Sequence, residues 1–170
     1  EPANRRVIGE LMQMCFNYRQ WARAIEFATL CKGCDGAMRI LGMSHYQQEE
    51  YIMAVTELTA ALAQNPNDAE AAYTLARSYV DMEDYKKALT YYEKLMHLEA
   101  AKPIWVYEYG LLLYNESKYP QALAAFKAAA DRGYTQSLDF KENLGYASLY
   151  SGQYDQGEKL IMGVWEKKPA

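Results

Sequence analysis

An all-α fold, an α-solenoid of antiparallel helix hairpins, is what this sequence predicts, and three observations carry that reading. Apolar residues recur at helical spacing, as in Tyr85, Ala88, Tyr92 and Leu95. The pairs Tyr51/Ala54, Tyr85/Ala88 and Tyr119/Ala122 stand 34 residues apart, a period long enough for two helices and their turns. Gly42, Gly110 and Gly145 fall inside predicted helices. Glycine costs about 1 kcal/mol there relative to alanine, so the close approach of a partner helix must require the missing side chain.

Five units follow in order. The first, about residues 5–34, is degenerate. Trp21, Ala24 and Ala28 mark its second helix, but Met12 stands where a small residue belongs, and the unit is short. The second, 35–68, carries Leu41-Gly42 in its first helix and Tyr51, Ala54, Leu58 and Ala61 in its second. Asn65-Pro66-Asn67-Asp68 closes it: proline lacks the N–H and biases its predecessor away from helix, and Asp68 can cap the next helix. The third, 69–102, places Leu75, Ala76 and Tyr79 before a turn at 81–84, then Tyr85, Ala88, Tyr92 and Leu95. The fourth, 103–137, runs through Gly110, Leu113, Tyr119, Ala122, Phe126 and Ala129, with Pro103 and Pro120 in first-turn positions. The fifth, 138–170, carries Leu144-Gly145, Tyr154, Gly157, Ile161 and Val164 and is shifted by an extra residue near Arg132-Gly133.

The pattern Leu75-Ala76-x-x-Tyr79 followed by Tyr85-x-x-Ala88-x-x-x-Tyr92, repeated as Gly110, Ala122 and Phe126, resembles the tetratricopeptide repeat family. The resemblance covers nearly the whole chain and is strongest over 35–136. It implies a single right-handed superhelical array of about five repeats, whose first helices line a concave groove. Read onto this chain, the groove positions hold Arg39, Met43, Tyr46, Tyr73, Arg77, Tyr107, Leu111, Tyr114, Tyr146 and Tyr150. The expected groove is a tyrosine wall with two arginines.

Two readings of that wall stand side by side. Tyrosine offers a large contact area with two side-chain torsions and a hydroxyl that works when wet, which suits a binding surface; the same rings could instead pack on one another within the solenoid. Arg39 and Arg77 could meet an acidic group on a partner or pair with acidic neighbours. The carboxylate clamp that some family members use for chaperone tails is absent, since its places hold Arg39, Met43, Thr74, Ile104 and Glu108.

The formal net charge of −4, with both signs interspersed, argues against a nucleic-acid surface. No apolar run reaches the roughly 20 residues that span a bilayer, so no direct membrane insertion is expected. The chain begins Glu-Pro-Ala rather than with Met, which suggests an excised fragment or a processed protein and leaves the compartment open. Three cysteines are too few for a disulfide framework, so the helical core is expected to hold the fold unstapled. Cys31-Lys32-Gly33-Cys34 has the spacing of a redox pair or half a zinc site. Neither His45, His97 nor Cys15 is spaced as a second ligand pair, so a buried small residue is the simpler account of Cys31. At the C-terminal end, Leu160, Ile161, Val164 and Trp165 form an apolar stripe that calls for more repeats, a cap, or self-association.

The expected function is a noncatalytic, cofactor-free protein–protein interaction scaffold that holds a peptide or protein segment along the groove. The alternatives are a structural or oligomerisation section of a longer repeat protein and, further off, a redox or zinc protein acting through Cys31 and Cys34.

Overall fold

In a computed structural model of the protein, residues 2–98, 101–135 and 137–167 are described, with side chains from residue 4. The described residues form ten helices and no strands, an all-α solenoid of helix hairpins. The chain divides into two compact units, Glu1–Leu98 and Glu99–Ala170.

The first unit holds α1 (Pro2–Asn17), α2 (Trp21–Leu30), α3 (Ala37–Gln47), α4 (Tyr51–Gln64), α5 (Ala69–Asp81) and α6 (Tyr85–Met96). Consecutive helices pair as hairpins, α2 packs on α3 and α4 on α5, and the first helices α1, α3 and α5 lie side by side. The second unit holds α7 (Pro103–Asn115), α8 (Tyr119–Asp131), α9 (Leu138–Tyr150) and α10 (Tyr154–Trp165), with α8 packed on α9.

The starts of these helices follow from short polar side chains and prolines. Asp68 accepts from the Ala71 N–H at 3.0 Å, Asp84 from the Lys87 N–H at 3.2 Å, and Ser137 from the Phe140 N–H at 3.2 Å, each satisfying a donor that the first turn leaves free. Pro103 opens α7, and Pro120 sits in the first turn of α8, where no N–H is missed.

The turns inside the hairpins share one conformation. Arg19, Glu49, Glu83 and Ser117 have φ of 57°, 63°, 58° and 58°, and Gly152 takes the same place at 79°. The following N–H reaches back over the turn to close it, as Glu50 does to the His45 carbonyl, Asp84 to Tyr79 and Lys118 to Leu113, each at 2.9 Å. A left-handed residue with a Cβ costs about 1 kcal/mol that glycine avoids. Glu83→Gly is therefore expected to raise stability by up to about 1 kcal/mol, read as a higher urea midpoint; a lowered midpoint would contradict this account of the turn.

Small residues sit where helices touch. A Cβ on Gly42 would lie 2.5 Å from Leu58 Cγ, one on Gly110 2.6 Å from the Phe126 ring, and one on Gly145 2.8 Å from Ile161. Ala76 holds the matching place in the third hairpin, and Ala54, Ala88 and Ala122 face their first helices fully buried. Met12 is buried with Cys15, Ala24, Ala28, Ala37, Ile40 and Leu41, so the degenerate first hairpin shares a core with α3. In the second unit Phe126 and Phe140 are fully enclosed. Along α10, Val164 is buried against its hairpin, while Trp165 is 63% exposed and Met162 is exposed.

One expectation is corrected. Cys31 and Cys34 form a disulfide, so the fold carries a local staple. The turn after α2 brings them together, the Cys34 N–H donating to the Cys31 carbonyl at 2.8 Å. Cys15 remains a free, buried thiol.

Candidate functional site

In the first unit, α3 and α5 bring five of the sequence-derived residues onto first helices. Arg39 reaches across to the next hairpin, donating from Nε to Asp68 Oδ2 at 2.7 Å and from Nη2 to Glu70 Oε2 at 3.1 Å. Tyr46 donates its hydroxyl to Asp81 Oδ2 at 2.9 Å, and Arg77 Nη2 lies 3.6 Å from Asp81 Oδ1. Burial pushes the Tyr46 hydroxyl above its ordinary pKa, with Asp81 adding to the rise and Arg77 opposing it. Tyr73 meets Tyr92 edge-on at 6.4 Å, and Met43 is half-buried. Both arginines are thus committed to carboxylates of their own chain.

The second unit collects aromatic rings. Tyr114 on α7 lies 5.3 Å edge-on from Tyr119, at the start of α8, and 6.3 Å from Tyr150, at the end of α9. Tyr119 and Tyr150 stack at 4.6 Å. Tyr150 is 59% exposed. Burial, then the neighbouring hydroxyls of Tyr150, Tyr119 and Tyr146, raise the Tyr114 pKa, so the phenol stays neutral at physiological pH. Tyr146 and Leu111 are half-buried.

Tyr107 differs from its sequence expectation. It is 9% exposed, stacked on Tyr134 at 4.5 Å and packed on Phe126 and Phe140, and its hydroxyl accepts from Asn143 Nδ2 at 2.8 Å. The ring supports the face from below instead of being displayed on it. First-helix spacing does not single out Tyr119, Tyr134 or Asn143, which the structure places in contact with these tyrosines. A signal for Tyr119 was present: Tyr46/Tyr51 and Tyr114/Tyr119 bracket the same turn in two hairpins, and each pair is in ring contact, at 5.8 Å and 5.3 Å.

His45 is buried on α3 between two carboxylates, with Nδ1 bonded to Glu50 Oε2 and Nε2 3.6 Å from Glu57 Oε2. Among the described residues, Glu57 Oε2 has no hydrogen-bond partner. Burial raises the Glu57 pKa, against the pull of His45 and Lys32. A carboxyl that holds its proton more tightly when folded gives its full contribution below the ordinary value of 4.5 and loses it as pH climbs through the native value. Glu57→Gln is therefore expected to raise the melting temperature at pH 7, with the gain shrinking as pH falls toward 4.5. A gain that grew on acidification would contradict this.

A Tetratricopeptide repeat model matches residues 73–137, and a model described as Anaphase-promoting complex, cyclosome, subunit 3 matches residues 32–95. The BBSome complex member BBS4 of Bos taurus is 30% identical over 132 residues, covering 75% of this chain and 25% of that protein. The Mus musculus protein of the same name is 30% identical over 87 residues, covering 51% and 17%. The chain thus spans a quarter or less of the length of these relatives. Among solved structures, MamA AMB-1 superposes with a TM-score of 0.84 at 14% identity, covering 98% of this chain and 93% of that one. MamA from Desulfovibrio magneticus RS-1 gives 0.76 at 18%, covering 95% and 93%. YrrB, described as a TPR protein with an unusual peptide-binding site, gives 0.75 at 20%, covering 91% and 81%. At such identities these likenesses speak to the fold.

Proposed function

The chain belongs to the tetratricopeptide repeat family, and we propose that it is a noncatalytic protein-interaction scaffold that holds a peptide or protein segment on the tyrosine-lined faces of its first helices. The observation that carries this reading is the cluster of Tyr114, Tyr119, Tyr146 and Tyr150, because stacked rings fix an amphipathic surface at little entropic cost and Tyr150 leaves it open to solvent. The peptide-binding site named for YrrB and the complex membership named for BBS4 agree with such a role.

Arg39 and Arg77 are neutralised within the first unit, so a segment that docks through tyrosine rings and hydroxyls is favoured over one recognised by its acidic charge. The test is affinity capture with the intact chain and with the Tyr114→Ala/Tyr150→Ala double variant. Tyr18→Ala, an exposed tyrosine in the α1–α2 turn, is the control. Loss of two central tyrosines is expected to weaken a captured partner about thirtyfold or more, as hot-spot aromatics do, with unchanged circular dichroism. Equal capture by the double variant would refute the assignment.

A further inference from the structure

The protein-interaction reading leaves Cys31 and Cys34 unused. Cys31 ends α2 and is 5% exposed, whereas Cys34 is half-buried. Their turn is held by the main chain regardless of the sulfurs, through the Cys34 N–H to Cys31 carbonyl bond and the Ala37 N–H to Cys34 carbonyl bond at 3.1 Å. Both sulfurs face one acceptor, the Arg5 carbonyl, at 3.8 Å from Cys31 and 3.7 Å from Cys34. A disulfide has no proton to offer that oxygen. A dithiol has two, so the surroundings also suit the reduced form.

A surface hollow opens at each sulfur. Among the described residues, the charged lining beside Cys31 is Arg5 and Lys32, with no carboxylate. Beside Cys34 it is lined by Arg6, Gly9, Gln13 and Asp35, among others. We infer that Cys31–Cys34 is a thiol–disulfide exchange site at which a small-molecule thiol attacks Cys34 and Cys31 is the leaving sulfur.

The step balances as follows. The thiolate of the small thiol bonds to Cys34 Sγ, the Cys31–Cys34 bond breaks, and its electron pair departs on Cys31 Sγ. Arg5 and Lys32 stabilise that charge, which speeds departure. The Cys31 thiolate then takes a proton from solvent and donates it toward the Arg5 carbonyl. A second small thiol attacking the mixed disulfide releases the oxidised small molecule and leaves the dithiol, so the two electrons the protein gains come from two thiols.

Reduced glutathione serves as the probe, with the intact chain at neutral pH, acid quenching, alkylation and peptide mass spectrometry, and far-UV circular dichroism to report the fold. The expected result is a glutathionyl adduct on Cys34 in the folded chain. The single variants lack the disulfide and are therefore treated with oxidised glutathione, whose own S–S bond breaks as one reduced glutathione leaves: Cys31→Ser is expected to take up and keep a stable adduct on Cys34, while Cys34→Ser reacts at Cys31 at least about tenfold more slowly, because that thiol is covered. An adduct that forms first on Cys31, forms equally on both sulfurs, or forms only once the helical signal is lost would overturn the assignment.

Discussion

Phe126→Ala is expected to destabilise the second unit by about 3–5 kcal/mol, a loss on the scale of a whole domain's margin. Phe126 is fully buried, packs on Tyr107 at 5.5 Å and Phe140 at 6.2 Å, and fills the space that Gly110 leaves open. Removing the ring would empty a site bounded by three helices, α7, α8 and α9. Small residues on α8, Ala122, Ala125 and Ala129, cannot collapse into the void. Urea unfolding followed at the aromatic residues would show a lower midpoint and earlier loss of α7–α10. A cost near 1 kcal/mol would mean that the stacking account of this unit is wrong.

Gly42→Val is expected to cost about 1–3 kcal/mol by overpacking. Two effects of opposite sign compete here. Residues other than proline gain up to about 1 kcal/mol of helix propensity over glycine, which favours substitution by valine. Against it, the added Cβ would sit 2.9 Å from the backbone nitrogen of Leu58 as well as against its side chain, and a backbone atom cannot rotate away. The steric effect wins, and the branched valine adds to it. Gly163, also inside a helix, has no described residue within 4 Å of its would-be Cβ, so Gly163→Ala should keep the propensity gain and be neutral or stabilising. Thermal melts of the two variants are expected to shift in opposite directions. A shift of Gly42→Val upward would show that the helix pair does not need the close approach.

The repeat itself was legible because it depends on residues whose size or capping chemistry is visible one at a time. Ala54, Ala88 and Ala122 announced the helix contacts, Asp68 a helix start, and Pro103 a first turn. The turns were less legible, since their left-handed positions are filled by Glu49, Glu83 and Ser117, none of which is the glycine that usually marks such a conformation. The disulfide was missed because cysteine parity argues about frameworks, whereas this bond follows from a local turn.

At the candidate site, sequence spacing placed residues on first helices without their partners. The Arg77–Asp81 contact lies at helical spacing and could be foreseen, but the Arg39 bond to Asp68 depends on how neighbouring hairpins pack. Tyr107 went from display to support because Tyr134, in the connection that carries the extra residue before α9, lays its ring over it. The aromatic cluster around Tyr114 could be half read. Tyr150 and Tyr146 were on the expected face, and Tyr119 joined them from the second helix.

Amide hydrogen exchange of the chain, with and without a partner it captures, tests the interaction account most directly. The account predicts added protection in the first helices, above all along α7 and α9 and at the turn before Tyr119, with α4 and α10 unchanged. Protection confined to the second helices, or none on the tyrosine-bearing segments, would contradict it.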